Sequence, residues 1–210
     1  MKYFLDFGTH KFEGLEEFIV KLGINNSFNV YCFEPNKEIY NISRQKINLY
    51  ENRFKSFRHY NSAIMNYTGE ITFNQHKGAW CNYKKDSYIS GYTTGSNCLD
   101  INPTYDTGNG VVFDIVKETI SCIDIDDIIN EICKNDFYAE IYIKCDIEGS
   151  EFAVLPKLLN SIYIKCIKEI YIEWHERFWV GLSDYENKIK EKFNIIKKFN
   201  ELNIKYFNHT

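Results

Sequence analysis

No apolar run in the 210-residue chain is long enough to cross a bilayer, a task that takes about 20 consecutive residues. Positive charge is also in short supply. Twenty-five Lys and Arg stand against 29 Asp and Glu, a formal net charge of −4, so no surplus remains to neutralise a phosphate backbone and nucleic acid is not the expected partner. No C-x-x-C pair or zinc-ribbon spacing occurs among the seven cysteines, an odd number that favours reduced thiols over a disulfide framework. The opening MKYFLDFGTH has no basic n-region followed by an apolar stretch and a cleavage site, and reads instead as a buried strand running into a loop. A soluble, unprocessed, cytoplasmic protein with no membrane partner is the expectation. The three prolines, beside many Asn, Lys, Ile and Tyr, reflect a coding bias toward A and T and carry no function.

What is present is enough apolar material, 44% hydrophobic and 17% aromatic, for one core, and one domain over residues 1–210 is expected. Short apolar runs alternate with amphipathic stretches, the pattern of a mostly parallel sheet covered by helices on both faces, an α/β fold. Strands are expected over 3–7, 28–33, 57–63, 70–73, 111–116, 118–123, 140–145, 168–173 and 204–207, and helices near 15–22, 37–49, 124–133, 151–159 and 185–201. Between 76 and 110 the periodicity fails, in a stretch rich in Gly, Ser, Asn, Thr and Tyr. An irregular insertion of that length is expected to be a lid or substrate loop, with Tyr83, Tyr88, Tyr92 and Tyr105 available to stack on sugar rings.

Chemistry concentrates at strand ends. FLDFGTH puts Asp6 and then Gly8 where the first strand must turn, and VYCFEP ends the second strand on Glu34, where a nucleotide fold places a carboxylate against ribose hydroxyls. No G-x-G-x-x-G spacing is present, because His10 and Lys11 follow Thr9 and the next glycine is Gly14, which disfavours a nicotinamide-dependent oxidoreductase. The stretch IYIKCDIEGSEFAVL carries Asp146 and Glu148 at the end of an apolar strand, then Gly149, with Ser150 set to cap a helix; EIYIEWHE ends on Glu173 and His175. Residues two apart on a strand share a face. If the two strands are neighbours, three carboxylates and an imidazole converge beyond their carboxyl ends. A plainer reading stays open: Asp146 and Ser150 satisfy a helix N-terminus, and His175 is a hydrogen-bonded histidine beneath Trp174 or Trp179.

Taken in order, FLDFGTH, VYCFEP, NSAIMNYTGEITF, ETISCIDIDDII, IKCDIEGSEFAVL and IEWHE resemble the FkbM family of S-adenosylmethionine-dependent methyltransferases, from about residue 4 to 177. The resemblance implies a class I, Rossmann-like methyltransferase fold, with S-adenosylmethionine as cofactor and a hydroxyl, commonly of a sugar or polyketide, as acceptor. It makes Asp6, Gly8, Thr9 and His10 the cofactor loop, Glu34 the ribose acid, Ser62 and Ala63 neighbours of the adenine, and Asp146 a further cofactor contact. One departure stands out: the family's second loop glycine falls near the position that Phe12 holds here.

Methyl transfer from a sulfonium needs the acceptor oxygen in line with the leaving sulfur and a base for its proton, worth about 10² to 10⁴ in rate. His175 is the expected base, oriented by Asp146 or Glu173, with Glu148 binding substrate hydroxyls. In a second-ranked arrangement the four residues hold a divalent cation, manganese or magnesium, or zinc if the site is tetrahedral. The competing functions are a methyltransferase for a small metabolite and a non-catalytic glycan-binding or scaffold protein of the same fold. Methylation of nucleic-acid bases is disfavoured by the lack of an Asn-Pro-Pro-aromatic tetrapeptide.

Overall fold

The structure, a computed structural model, describes residues 1–77, 96–99 and 114–209. A six-stranded sheet runs in the order β3-β2-β1-β7-β8-β9, where β1 is Lys2–Phe7, β2 Phe28–Phe33, β3 Ser56–Tyr60, β7 Glu140–Cys145, β8 Ile167–Ile172 and β9 Lys205–Asn208. Every pairing in it is parallel. Parallel strands linked by crossovers are covered on both faces, and the sequence supplies apolar side chains to each. From β1, Leu5 and Phe7 point to one face with Phe33, Ile143 and Ile172, where α3 (Ile125–Asn135), α4 (Glu151–Leu159) and α5 (Tyr185–Glu201) pack. Phe4 points the other way with Val30 and Cys32, under α1 (Glu13–Leu22), and α2 (Lys37–Arg44) follows β2. This is the expected α/β fold, and it explains why these strands are almost uniformly apolar rather than alternating.

Between β3 and α3 a second sheet is inserted, of order β4-β6-β5, with β4 at Ala63–Met65, β5 at Gly69–Lys77 and β6 at Asp114–Asp124. The strand expected over 57–63 is therefore two. The side chain of Asn61 donates to the carbonyls of Glu34 and Pro35 at 2.9 and 3.1 Å, which turns the chain out of the first sheet after Tyr60. Likewise 114–124 is one strand, not two, paired antiparallel to β5 along its length and parallel to β4 at its end. Asp124 caps α3 by accepting from the backbone N–H of Asp126 at 2.9 Å, as aspartates at a helix start do.

Of the expected insertion, residues 96–99 lie against β5, where Asn97 and Asn74 exchange backbone hydrogen bonds of 2.7 and 3.1 Å. Tyr83, Tyr88, Tyr92 and Tyr105 lie outside the described residues. No helix among the described residues is long and apolar enough to cross a membrane.

Candidate active site

The chain leaves β1 toward β2 on one side, and β7 arrives on the other, so the order reverses between β1 and β7. A crevice opens beyond the carboxyl ends of strands at such a point. Here it is an open cleft lined by Gly8, His10, Glu34, Ser62, Ala63, Asp146 and Glu148, among others.

The Gly8 loop is held from below by the end of β2. The backbone N–H groups of Gly8 and Thr9 both donate to the carbonyl of Phe33, at 3.1 and 3.0 Å. Gly8 has φ of 76°, and a Cβ there would come within 1.9 Å of the carbonyl oxygen of Asp146. Only glycine fits a left-handed turn with a neighbouring backbone so close. Phe12 also adopts φ of 71°, so the residue at the family's glycine position keeps the left-handed conformation glycine favours. Its fully buried ring sits 4.9 Å from the rings of Tyr50 and His59 and 5.7 Å from Phe57. That packing offsets a backbone cost of about 1–3 kcal/mol.

Glu34 stands at the tip of β2 and accepts one backbone hydrogen bond on each oxygen, from His10 at 2.9 Å and from Asn36 at 2.8 Å. Each carboxylate oxygen has a second lone pair, so capacity remains for two hydroxyl donors. Burial pushes its pKa up to about 7 against the stabilising N–H groups of Asn36 and His10. Ser62 and Ala63 line the same cleft, with the Ser62 hydroxyl 2.7 Å from that of Ser121.

Asp6 and Thr9 are not on the cleft surface. Both are fully buried, and the Thr9 hydroxyl donates to Asp6 at 2.6 Å. Asp6 pairs in strand register with Lys144 of β7, whose ammonium lies 3.4 Å from Asp6 and 3.2 Å from Asp146 and donates to the carbonyl of Gly8 at 2.7 Å. The lysine is 2% exposed. Although burial opposes its charge, the carboxylates of Asp6 and Asp146 outweigh that and hold it protonated. Gly14 of α1 leaves the space it occupies, since a Cβ there would come within 2.9 Å of Lys144 Cε. A lysine inside an apolar run escaped the sequence reading; its register opposite Asp6 explains it.

At the other end, β7 ends on Cys145 and β8 on Ile172, so Asp146, Glu148, Glu173 and His175 sit on turns rather than on the strands. The face-sharing expectation thus has the wrong local cause. Glu148 at φ of 51° and Gly149 at 96° wrap the chain around His175 instead. The four residues do converge: Nε2 of His175 lies 3.1 Å from Glu148, 3.5 Å from Glu173 and 3.8 Å from Asp146. The group that orients the ring is Glu151, absent from the sequence-based site. Fully buried in the first turn of α4, it lies 2.5 Å from Nδ1, and a carboxylate there makes Nδ1 the donor. Ser150 makes no side-chain capping bond, and the ring beside His175 is Phe178, 5.2 Å away, rather than Trp174 or Trp179.

Electrostatics follow from this crowding. Burial raises Glu148 to about 7, while His175 pulls it down. For His175 burial acts downward, yet Glu151, Glu148 and Asp146 outweigh it and raise the imidazole to about 9.

A family model described as the methyltransferase FkbM domain matches residues 6–199. No curated protein and no solved structure matches the chain.

Proposed function

The chain belongs to the FkbM methyltransferase family, and from that premise we propose that it transfers a methyl group from S-adenosylmethionine to a hydroxyl oxygen of a sugar or glycan. The observation that carries the reading is one cleft with two chemically distinct ends, Glu34 over the Gly8 loop and Asp146 with Glu148 opposite.

The residues present fit the cofactor. Glu34 keeps free lone pairs for the two ribose hydroxyls, the small side chains of Ser62 and Ala63 leave room for the base, and Gly8 with His10 form the loop beside the chain's charged part. Asp6, Thr9 and Lys144 act from beneath, as positioning residues for that loop. When bound, S-adenosylmethionine supplies a methyl group on a positively charged sulfur. The cluster of Asp146, Glu148, Glu173 and His175 receives the acceptor hydroxyl, and His175, fixed by Glu151, takes its proton in the neutral form, whose share grows as pH rises toward about 9. Several carboxylates at one place accept hydrogen bonds from several hydroxyls, which supports a sugar. The net charge of −4 weighs against nucleic acid, and the six free cysteines among the described residues support a reducing, cytoplasmic setting.

Titration calorimetry with S-adenosylmethionine and S-adenosylhomocysteine, and oxidised nicotinamide dinucleotide as control, tests the reading. Binding of the adenosyl compounds alone is expected; binding of neither overturns it. An acceptor screen begins with deoxysugars. His175→Ala should then lose turnover by at least about 10²-fold while cofactor affinity stays within about twofold.

A further inference from the structure

Three polar atoms at the His175 end are buried and make no hydrogen bond: Nε2 of His175, Oε2 of Glu148 and Oε2 of Glu151. Nε2 and the Glu148 oxygen face each other at 3.1 Å. His175 is fully buried, so water does not satisfy its ring, and its other nitrogen is committed to Glu151. The two facing atoms are close enough for an ion contact but are not aligned for a hydrogen bond, so a ligand held between them would satisfy both. The ligand-type atoms of Asp146, Glu148 and His175 all lie within 4.8 Å of one another. Two donors each about 2.0–2.2 Å from one ion stand at most about 4.4 Å apart, so a shift of a few tenths of an ångström encloses a cation.

We propose that Asp146, Glu148 and His175 form a binding site for a divalent transition-metal cation, with Glu173 at its rim. Glu151 supports this assignment independently, because a metal-ligating histidine almost always gives its other ring proton to a carboxylate or carbonyl, and Glu151 is that partner here. The donor set selects the ion class. One imidazole nitrogen among carboxylate oxygens suits manganese or zinc, whereas calcium and magnesium take oxygen-only sets. Negative charge is in excess there: four carboxylates surround the ring, against Lys144 at 3.2 Å from Asp146 and Arg177 at 3.6 Å from Glu173. The site deepens the methyltransferase reading, on which its catalytic meaning rests: a cation here would polarise the acceptor hydroxyl, with His175 as its ligand and the proton left to a carboxylate of the cluster.

Binding is measured on the full chain, stripped with chelator and free of adenosyl ligand and acceptor. Manganese chloride is followed by loss of the free-ion paramagnetic resonance signal, zinc chloride by calorimetry. One cation per chain is expected, weakened at least about tenfold in Glu148→Gln, Asp146→Asn and His175→Gln, and by about 10–100-fold in Glu151→Gln. Glu34→Gln should bind the cation as the wild type does. Circular dichroism melts identify any variant that fails to fold, and Glu148→Gln, which removes a charge from a crowded carboxylate cluster, is the variant least exposed to that failure. The inference is overturned if neither cation binds to the wild type, or if folded Glu148→Gln and Asp146→Asn bind undiminished. Adenosyl binding without cation binding sinks this site alone; cation binding without adenosyl binding sinks the cofactor reading and leaves the site standing.

Discussion

At the Gly8 end of the cleft Asp6, Glu34 and Lys144 are each matched by an opposite charge or a backbone group, whereas at the His175 end four carboxylates crowd one imidazole. Both ends are buried and charged, but the first comes closer to internal balance. Asp6 and Lys144 neutralise each other across the β1–β7 pairing, and Glu34 is met by two N–H donors that the turn itself presents. One oxygen of Asp6 makes no hydrogen bond there, whereas at the second end atoms of Glu148, Glu151 and His175 make none. A balanced arrangement holds a shape without its ligand, while an unbalanced one is completed by what it binds, because unpaired buried charge is costly.

Lys144 touches both ends, through Asp6 and Asp146, so removing it is the strongest way to break the contrast. In Lys144→Met the fully buried Asp6 loses its cation, and a stability loss of about 3–5 kcal/mol is expected from urea unfolding. A loss under about 1 kcal/mol would mean that the balance at the Gly8 end does not depend on this pair. Gly8→Ala comes next. The new Cβ meets the Asp146 carbonyl at 1.9 Å on a left-handed backbone, so strain and overlap together should lower stability by about 2–4 kcal/mol. An unchanged melting temperature would show that β1 and β7 part more easily than their register implies.

The balanced end was the more legible of the two in the sequence. Gly8 and Glu34 stand directly after apolar runs, and a strand followed by glycine or carboxylate can be read locally. Lys144 could not be read that way, since nothing in IYIKC says which residue of another strand lies opposite; the pairing with Asp6 is a property of the sheet. Glu151 was hidden for a similar reason. It looks like an ordinary acidic residue in a helix first turn, and its partner is 24 residues further on. The gathering of Asp146, Glu148, Glu173 and His175 was foreseen because β7 and β8 are neighbours, but two-residue periodicity was the wrong reason. Turns that begin at Asp146 and Glu173 bring the side chains together. Phe12 shows a further limit: a phenylalanine where the family has glycine suggested an altered loop, yet its aromatic surroundings keep the glycine-like conformation.

Substituting Glu34 sharpens the contrast at a modest cost to the fold. Glu34→Gln keeps the shape but sets an NH2 group against one of the two backbone N–H donors, so stability should fall by about 1–3 kcal/mol, while affinity for S-adenosylmethionine falls about 10–100-fold through loss of charge-assisted hydrogen bonds. Retained affinity would remove Glu34 from the ribose site.

The pH dependence is the smallest effect and the most specific. Burial raises Glu34 from 4.5 to about 7, and hydroxyl donors bind the ionised form. Above pH 7 the carboxylate is present and affinity should be level. Below it, protonation competes with the ligand, and affinity should fall about tenfold per pH unit, the equivalent of one pKa unit of binding energy. The facing groups that oppose protonation are His10, Lys144 and the N–H of Asn36, and Glu34→Gln leaves them in place. Calorimetric titrations from pH 6 to 8 should therefore slope for the wild type and flatten for Glu34→Gln. If both slope alike, the titrating group lies elsewhere, and the Gly8 end does not contain the cofactor's acid.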